Sequence, residues 1–329
     1  MKPTERSITL LLRSRLGAYS LVAVATIAVL IASSVASLPA IATGRGLVTG
    51  AASADFLSAT ASFGIALLAI GATMGAMVVI NNSFNLLRTS SPLYIGVLAF
   101  MEAASPLIST RACSGILVSL IVLISMGLIY TVYQQPVSGT KRVFLVFSLL
   151  SAGSMFQYAL VAYLPVFLAG CAQMRCFTFR TFLAALVGIA VPWWIGWGFG
   201  WIDLSKIAFP TDFSIFTQLD ISDTAQLVAV IAVTVIVGFV MTLTNMVKVY
   251  SYNARARSLT GLLVTVTIAT LMLAMIDFAN ITAYLPLLNC CVAYQTALFF
   301  RIKAENRGYI AVCTILSLYL ILYIWALLA

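Results

Sequence analysis

One carboxylate stands inside a long apolar run, and no other residue of the chain is so placed to do chemistry. Glu102 occupies the stretch Gly96-Val-Leu-Ala-Phe-Met-Glu-Ala-Ala-Ser-Pro106, which holds no other charged residue. A carboxylate in hydrocarbon is costly unless it is neutralised or paired. Such a group can bind a cation, relay a proton or hold a polar headgroup. It can equally be a neutral structural carboxyl bonded to a neighbouring helix, or one that reaches water near Pro106. Arg111, at the outer end of the same run, has the planar fork that suits phosphate, or it snorkels to lipid headgroups. Asp55 and Asp277 fall at the ends of apolar runs. Multipass lipid-linked glycosyltransferases use an acidic residue in an early outer loop as a base, and Asp55 is in the corresponding loop.

Other chemistry is thin. The chain has no histidine, which removes His-based acid–base catalysis, Ser-His triads and His-ligated metals. Its six cysteines are scattered with no C-x-x-C pair, and those in apolar runs behave as small hydrophobes. We expect no disulfide, no metal site and no cofactor. Phosphate-cradling glycine loops and nucleophile elbows are missing, so enzymatic activity is not the expectation. The amides Asn81, Asn82, Gln157, Asn245, Asn280, Asn289 and Gln295 fit helix-to-helix hydrogen bonding. Gly71-x-x-x-Gly75 and Gly196-x-Gly198-x-Gly200 fit close helix approach. Pro106, Pro165, Pro192 and Pro286 should kink their helices and free carbonyls that could line a pocket.

The elements that must position these residues are membrane helices. Of 329 residues 62% are hydrophobic and 8% charged, with a mean hydropathy of +1.09. That leaves too few charges to coat a water-soluble globule, which carries about 25%. Runs of about 20 apolar residues match the bilayer core, and only helices satisfy the backbone there. We therefore expect an all-α polytopic bundle forming a single membrane domain. Its eleven spans are 16–38, 57–80, 93–109, 112–133, 143–157, 158–173, 181–201, 225–247, 258–276, 281–300 and 308–328. The first run is too long for a signal-peptide core and no cleavage site lies at a suitable distance.

Charge sets the threading. The stretch 143–173 is long for one span and short for two. Lys141 and Arg142 precede it, and Arg175 and Arg180 come after it. A hairpin turning near Ser154 to Tyr158 keeps both pairs inside. With the N-terminus cytoplasmic, 15 of the 18 basic residues then lie inside, and only Arg45, Arg111 and Lys206 lie outside. The net charge of +9 is that bias, not a nucleic-acid footprint. Trp193, Trp194, Trp197, Trp201 and Trp325 all fall toward the outer side, as interfacial anchors or as a substrate-facing aromatic surface. The outer loop 202–224 alternates apolar residues with Asp203, Lys206, Asp212, Asp220 and Asp223, and it should lie on the membrane surface.

The segment Asn82-Ser-Phe-Asn-Leu-Leu-Arg88 through Ser91-Pro-Leu-Tyr94 to Ala104-Ser-Pro106 resembles an uncharacterised multipass inner-membrane family of Bacteroidota. So do Phe144-Leu-Val-Phe-Ser-Leu-Leu150 with Tyr158 and Pro165, and Arg175-Cys-Phe-Thr-Phe-Arg180 continuing to Gly188 and Pro192. The likeness covers roughly residues 80–200, with Phe179 where that family favours Trp. It implies a bacterial inner-membrane bundle in which Arg180, Gly188 and Pro192 shape the fold. It carries over no catalytic residue.

Three functions fit these residues. First is a cell-envelope protein that handles a lipid-linked or glycolipid substrate among membrane lipids. Second is a non-enzymatic scaffold held to a membrane-protein partner. Third is a proton-coupled small-solute transporter using Glu102.

Overall fold

In hydrocarbon a backbone can hydrogen-bond only to itself, so apolar runs become helices that end where proline or a polar cluster intervenes. The computed structural model describes residues 9–35, 46–47, 58–87, 92–134, 139–202, 214–249, 252–303 and 308–328, and the regular structure among them is entirely helical. Eleven helices have eleven residues or more: α1 (Arg15–Val35), α2 (Ala59–Phe84), α3 (Leu93–Ala103), α4 (Ser114–Tyr130), α5 (Thr140–Phe156), α6 (Tyr163–Gln173), α7 (Phe179–Gly198), α8 (Ile221–Val249), α9 (Ala254–Ile276), α10 (Ile281–Lys303) and α11 (Gly308–Leu328). Seven of them, namely α1, α2 and α7 to α11, are long and apolar enough to cross a membrane. The apolar helices α3, α4 and α6 are shorter.

Two breaks explain short helices. Pro106 disfavours the helical conformation in the residue before it. Ser105 is accordingly extended (φ −120°, ψ 72°), and the chain resumes as one turn, Pro106–Ser109. The second break is at Gln157 (φ −144°, ψ 107°), which separates α5 from a tight turn, Tyr158–Ala162, that runs into α6. The stretch 143–173 is thus two helices joined at Gln157.

The centre of the bundle is α10. With the turn that precedes it, 94% of its apolar window is buried inside the protein, against 22–56% for the other six long helices. It is also the least apolar of the seven. Around it pack α3, α4, α8, α9 and α11. The approach of α4 is very close: a Cβ on Gly115 would overlap the Thr282 carbonyl oxygen and lie 3.1 Å from the Pro286 ring. Pro286 has no N–H to give that carbonyl, and the Cys113 thiol donates to it instead at 3.7 Å.

Hydrogen bonds tie the two ends separately. At one end the Ala112 amide donates to Ser62 Oγ (2.9 Å), Gln157 Nε2 to Ser114 Oγ (3.0 Å) and Tyr158 OH to Asp277 Oδ2 (2.6 Å). At the other the Gln134 amide donates to the Met174 carbonyl at 3.1 Å. We call these the Asp277 end and the Met174 end.

Some expectations resolve differently. Gly71 and Gly75 face outward, with nothing within 4 Å of a Cβ built on either. Within this chain they are therefore not a packing seam. In the second glycine run only Gly196 is packed, against Ile202. Of the expected surface loop, residues 203–213 lie outside the described residues. The rest of that loop forms a short turn, Ile215–Gln218, whose Phe216 stacks on Phe278 (4.9 Å between centroids) before α8 begins at Ile221.

Candidate functional site

Glu102 is placed by the last turn of α3, just before the Ser105–Pro106 break. It is 4% exposed, and its Oε1 accepts from Nδ2 of Asn289 at 3.1 Å. Asn289 lies on α10 and is 1% exposed. The carboxylate thus meets a neutral amide from the central helix. Glu102 Oε2 and Asn289 Oδ1 have no hydrogen-bond partner among the described residues. Two buried oxygens so left cost free energy unless something else reaches them.

The break beside Glu102 is held by side chains. Gln226 of α8 donates to the Ala104 carbonyl at 2.9 Å. The Ser105 hydroxyl donates to the carbonyl of Glu102 at 3.2 Å. Thr110 Oγ1 donates to the Pro106 carbonyl at 2.7 Å. The Glu102 and Ala104 carbonyls beside the break are thereby satisfied, while the Glu102 side chain is only half satisfied.

Two further polar layers flank this one along α10. At the Asp277 end, Tyr158 and Tyr284 both donate to Asp277 Oδ2, at 2.6 and 3.1 Å. Toward the opposite end, Asn245 Nδ2 donates to both the carbonyl and the Oε1 of Gln295, each at 2.8 Å, and Gln295 Nε2 reaches Thr267 Oγ1 at 3.4 Å. Asn245, Asn289 and Gln295 therefore all bond across helices, as amides in apolar runs should.

The other expected residues are placed differently. Arg111 is partly exposed in the link between Thr110 and α4, whereas Glu102 is enclosed. Asp55 lies outside the described residues. Arg180 is exposed in the first turn of α7. Gly188 packs α7 on α5, where a Cβ would sit 2.7 Å from the Phe144 carbonyl oxygen. Pro192 lies inside α7, and Ser151 of α5 donates to the nearby Ile189 carbonyl at 2.7 Å. Trp194, Trp197 and Trp201 are exposed at the end of α7, with Trp201 stacked on Phe199 at 5.1 Å. No group of three or more Cys, Asp and Glu able to hold a metal occurs among the described residues.

A cavity of about 290 Å³ opens among Ser83, Asn85, Asn253, Arg255 and Thr260, where the end of α2 meets the start of α9. None of its walls comes from α3 or α10. We therefore place the chemistry at Glu102 and not in that cavity.

The sequence reading missed Gln226, Thr282 and Thr296. Gln226 is read as the start of a span, and nothing local shows that it caps a break more than a hundred positions away. The threonines had a signal. Thr282, Asn289 and Thr296 recur at intervals of seven in an apolar run, which puts them on one face of a helix.

The chain matches no protein-family model, no curated protein and no solved structure.

Proposed function

We propose that this is a bacterial inner-membrane carrier of eleven spans, N-terminus cytoplasmic, that moves a small polar solute with Glu102 as its proton-coupling group. The observation that carries the reading is the half-satisfied Glu102 carboxylate, held beside a broken helix against the most buried helix of the bundle. Intramembrane acids and discontinuous helices together mark ion and substrate paths in transporters. The threading is supported by hydrogen bonds that pair residues of equal expected depth, Ala112 with Ser62 and Gln134 with Met174. On that threading the Asp277 end is outside and the Met174 end is cytoplasmic. The resemblance to the Bacteroidota family is compatible with this placement.

The lipid-linked reading takes second place for a steric reason. A headgroup would have to enter sideways between packed helices, and Glu102 is buried. What favours it still is the exposed aromatic surface of Trp194, Trp197, Phe199 and Trp201. A scaffold role would make Glu102 a structural carboxyl bonded to Asn289 and would leave its second oxygen without an explanation.

Inverted vesicles and whole cells with and without the protein would be given a panel of labelled amino acids, sugars and organic acids. We expect uptake of at least one, collapsed by a protonophore and reduced at least tenfold by Glu102→Gln at unchanged protein abundance. Uptake of every solute unaffected by Glu102→Gln would sink the reading. A lipid-linked intermediate accumulating in the envelope of the deletion strain would instead favour the second.

A further inference from the structure

Three side-chain oxygens on α10 share an uncommon state. Thr282 Oγ1, Asn289 Oδ1 and Thr296 Oγ1 are each buried and without a hydrogen-bond partner among the described residues. The residues are 1%, 1% and 0% exposed. Seven positions are nearly two helical turns, with a drift of about 20° per step, so the three oxygens share one face of α10. They extend along it for about 21 Å, at steps of about 10 Å. Glu102 meets this face at its middle rung, where Oε1 accepts from Asn289 while Oε2 is also unpartnered.

Threonine in a helix ordinarily satisfies its hydroxyl by donating back to the carbonyl four residues earlier. Thr265, Thr267 and Thr270 of α9 do so, at 2.7 to 3.0 Å. Thr282 and Thr296 do not. More unpartnered groups lie on α4 and α8, two of the helices packed on α10. Ser125 of α4 is buried with its hydroxyl unpartnered, about 15 Å along that helix from the Gly115 contact with Thr282. This puts it at the level between Asn289 and Thr296. Asn245 Oδ1 and Thr242 Oγ1 of α8 are likewise buried and unpartnered, and Asn245 is bonded to Gln295, the neighbour of Thr296.

We infer that Thr282, Asn289 and Thr296 mark a hydrated proton path along α10 that connects Glu102 with both faces of the membrane. The inference rests on the carrier reading and supplies its coupling route. The spacing selects the proton over a metal ion. A hard cation needs about six oxygens at 2.0–2.6 Å, whereas rungs about 10 Å apart offer one or two each. A step of that length is bridged by about three waters at hydrogen-bond distances. The titratable groups that interact electrostatically with Glu102 from the surrounding elements are Cys113 before α4, Cys290 on α10 and Tyr319 on α11. Tyr319 is hydrogen-bonded to Thr234 at 2.8 Å and lies off the stripe.

The test reads connectivity and needs no solute. The full chain in lipid nanodiscs is subjected to a pH jump, and the Glu102 carboxyl band is followed by infrared spectroscopy, identified by subtraction of Glu102→Gln. The band should respond within milliseconds in the wild type. The double variant Thr282→Val/Thr296→Val should slow it at least tenfold, while Thr282→Ser/Thr296→Ser, which keeps both hydroxyls, should retain the wild-type rate. A Val variant that responds as fast as wild type would overturn the path. So would a wild-type Glu102 whose band ignores bulk pH for minutes, or a Ser variant as slow as the Val variant. Solute uptake dependent on Glu102 would survive a fast Val variant or a slow Ser variant, which sink the path alone. A Glu102 deaf to bulk pH would sink the carrier reading with it, so the two failures are distinguishable.

Discussion

At the scale of the residue, the contrast between Glu102 and Asn245 is instructive. Both bond an amide across helices and both leave one oxygen unpartnered. But Asn245 is a neutral amide that makes two bonds to Gln295 in a network reaching Thr267, whereas Glu102 is ionisable and makes one. A structural amide should act on stability. Asn245→Leu is expected to cost about 1–2 kcal/mol, seen as a lower melting temperature in detergent with uptake preserved in the protein that remains folded. Glu102→Gln should do the reverse, since a glutamine keeps the volume and can still accept from Asn289. Melting should shift little while activity is lost.

At the scale of the element, the sharpest constraint is the contact of α4 with α10. Gly115 leaves no room for a side chain against Thr282 and Pro286, so Gly115→Leu must push the two helices apart. Overpacking of this kind costs about 1–3 kcal/mol or more, and folded protein recovered after extraction should fall severalfold. Gly188→Leu at the contact of α7 with α5 should behave likewise. Gly71→Leu and Gly75→Leu are the controls. Their side chains would enter open space, so the change expected is within about 0.5 kcal/mol. A strong loss there would mean that another molecule packs on α2.

At the scale of the whole molecule, the prediction concerns threading. A fluorescent protein that matures only in the cytoplasm should shine when inserted after Gly139. Alkaline phosphatase, active only outside, should work when fused after Ala329. A dark fluorescent protein at the first site, or an inactive phosphatase at the second, would refute eleven spans with a cytoplasmic N-terminus. The arrangement also predicts that α10 is the last helix to exchange its amides, because it alone among the long helices is buried on nearly every side. Hydrogen exchange with mass spectrometry should find its central peptides the slowest in the chain.

The sequence by itself determined the helical class, the position of most helices and the singularity of Glu102. Those properties come from local quantities, namely run length, charge spacing and the cost of a carboxylate among apolar neighbours. Proline and polar residues also located the interruptions, at Pro106 and around Gln157. Only the tertiary structure decided which helix is central. Burial depends on what packs around a helix, and α10 is the least apolar of the long ones, so hydropathy points away from it. The pairing of Glu102 with Asn289, the capping of Ala104 by Gln226 and the outward turn of Gly71 and Gly75 were likewise decided in three dimensions. Each depends on how helices are rotated about their axes, and in a helix apolar on nearly every face the sequence leaves that rotation unspecified.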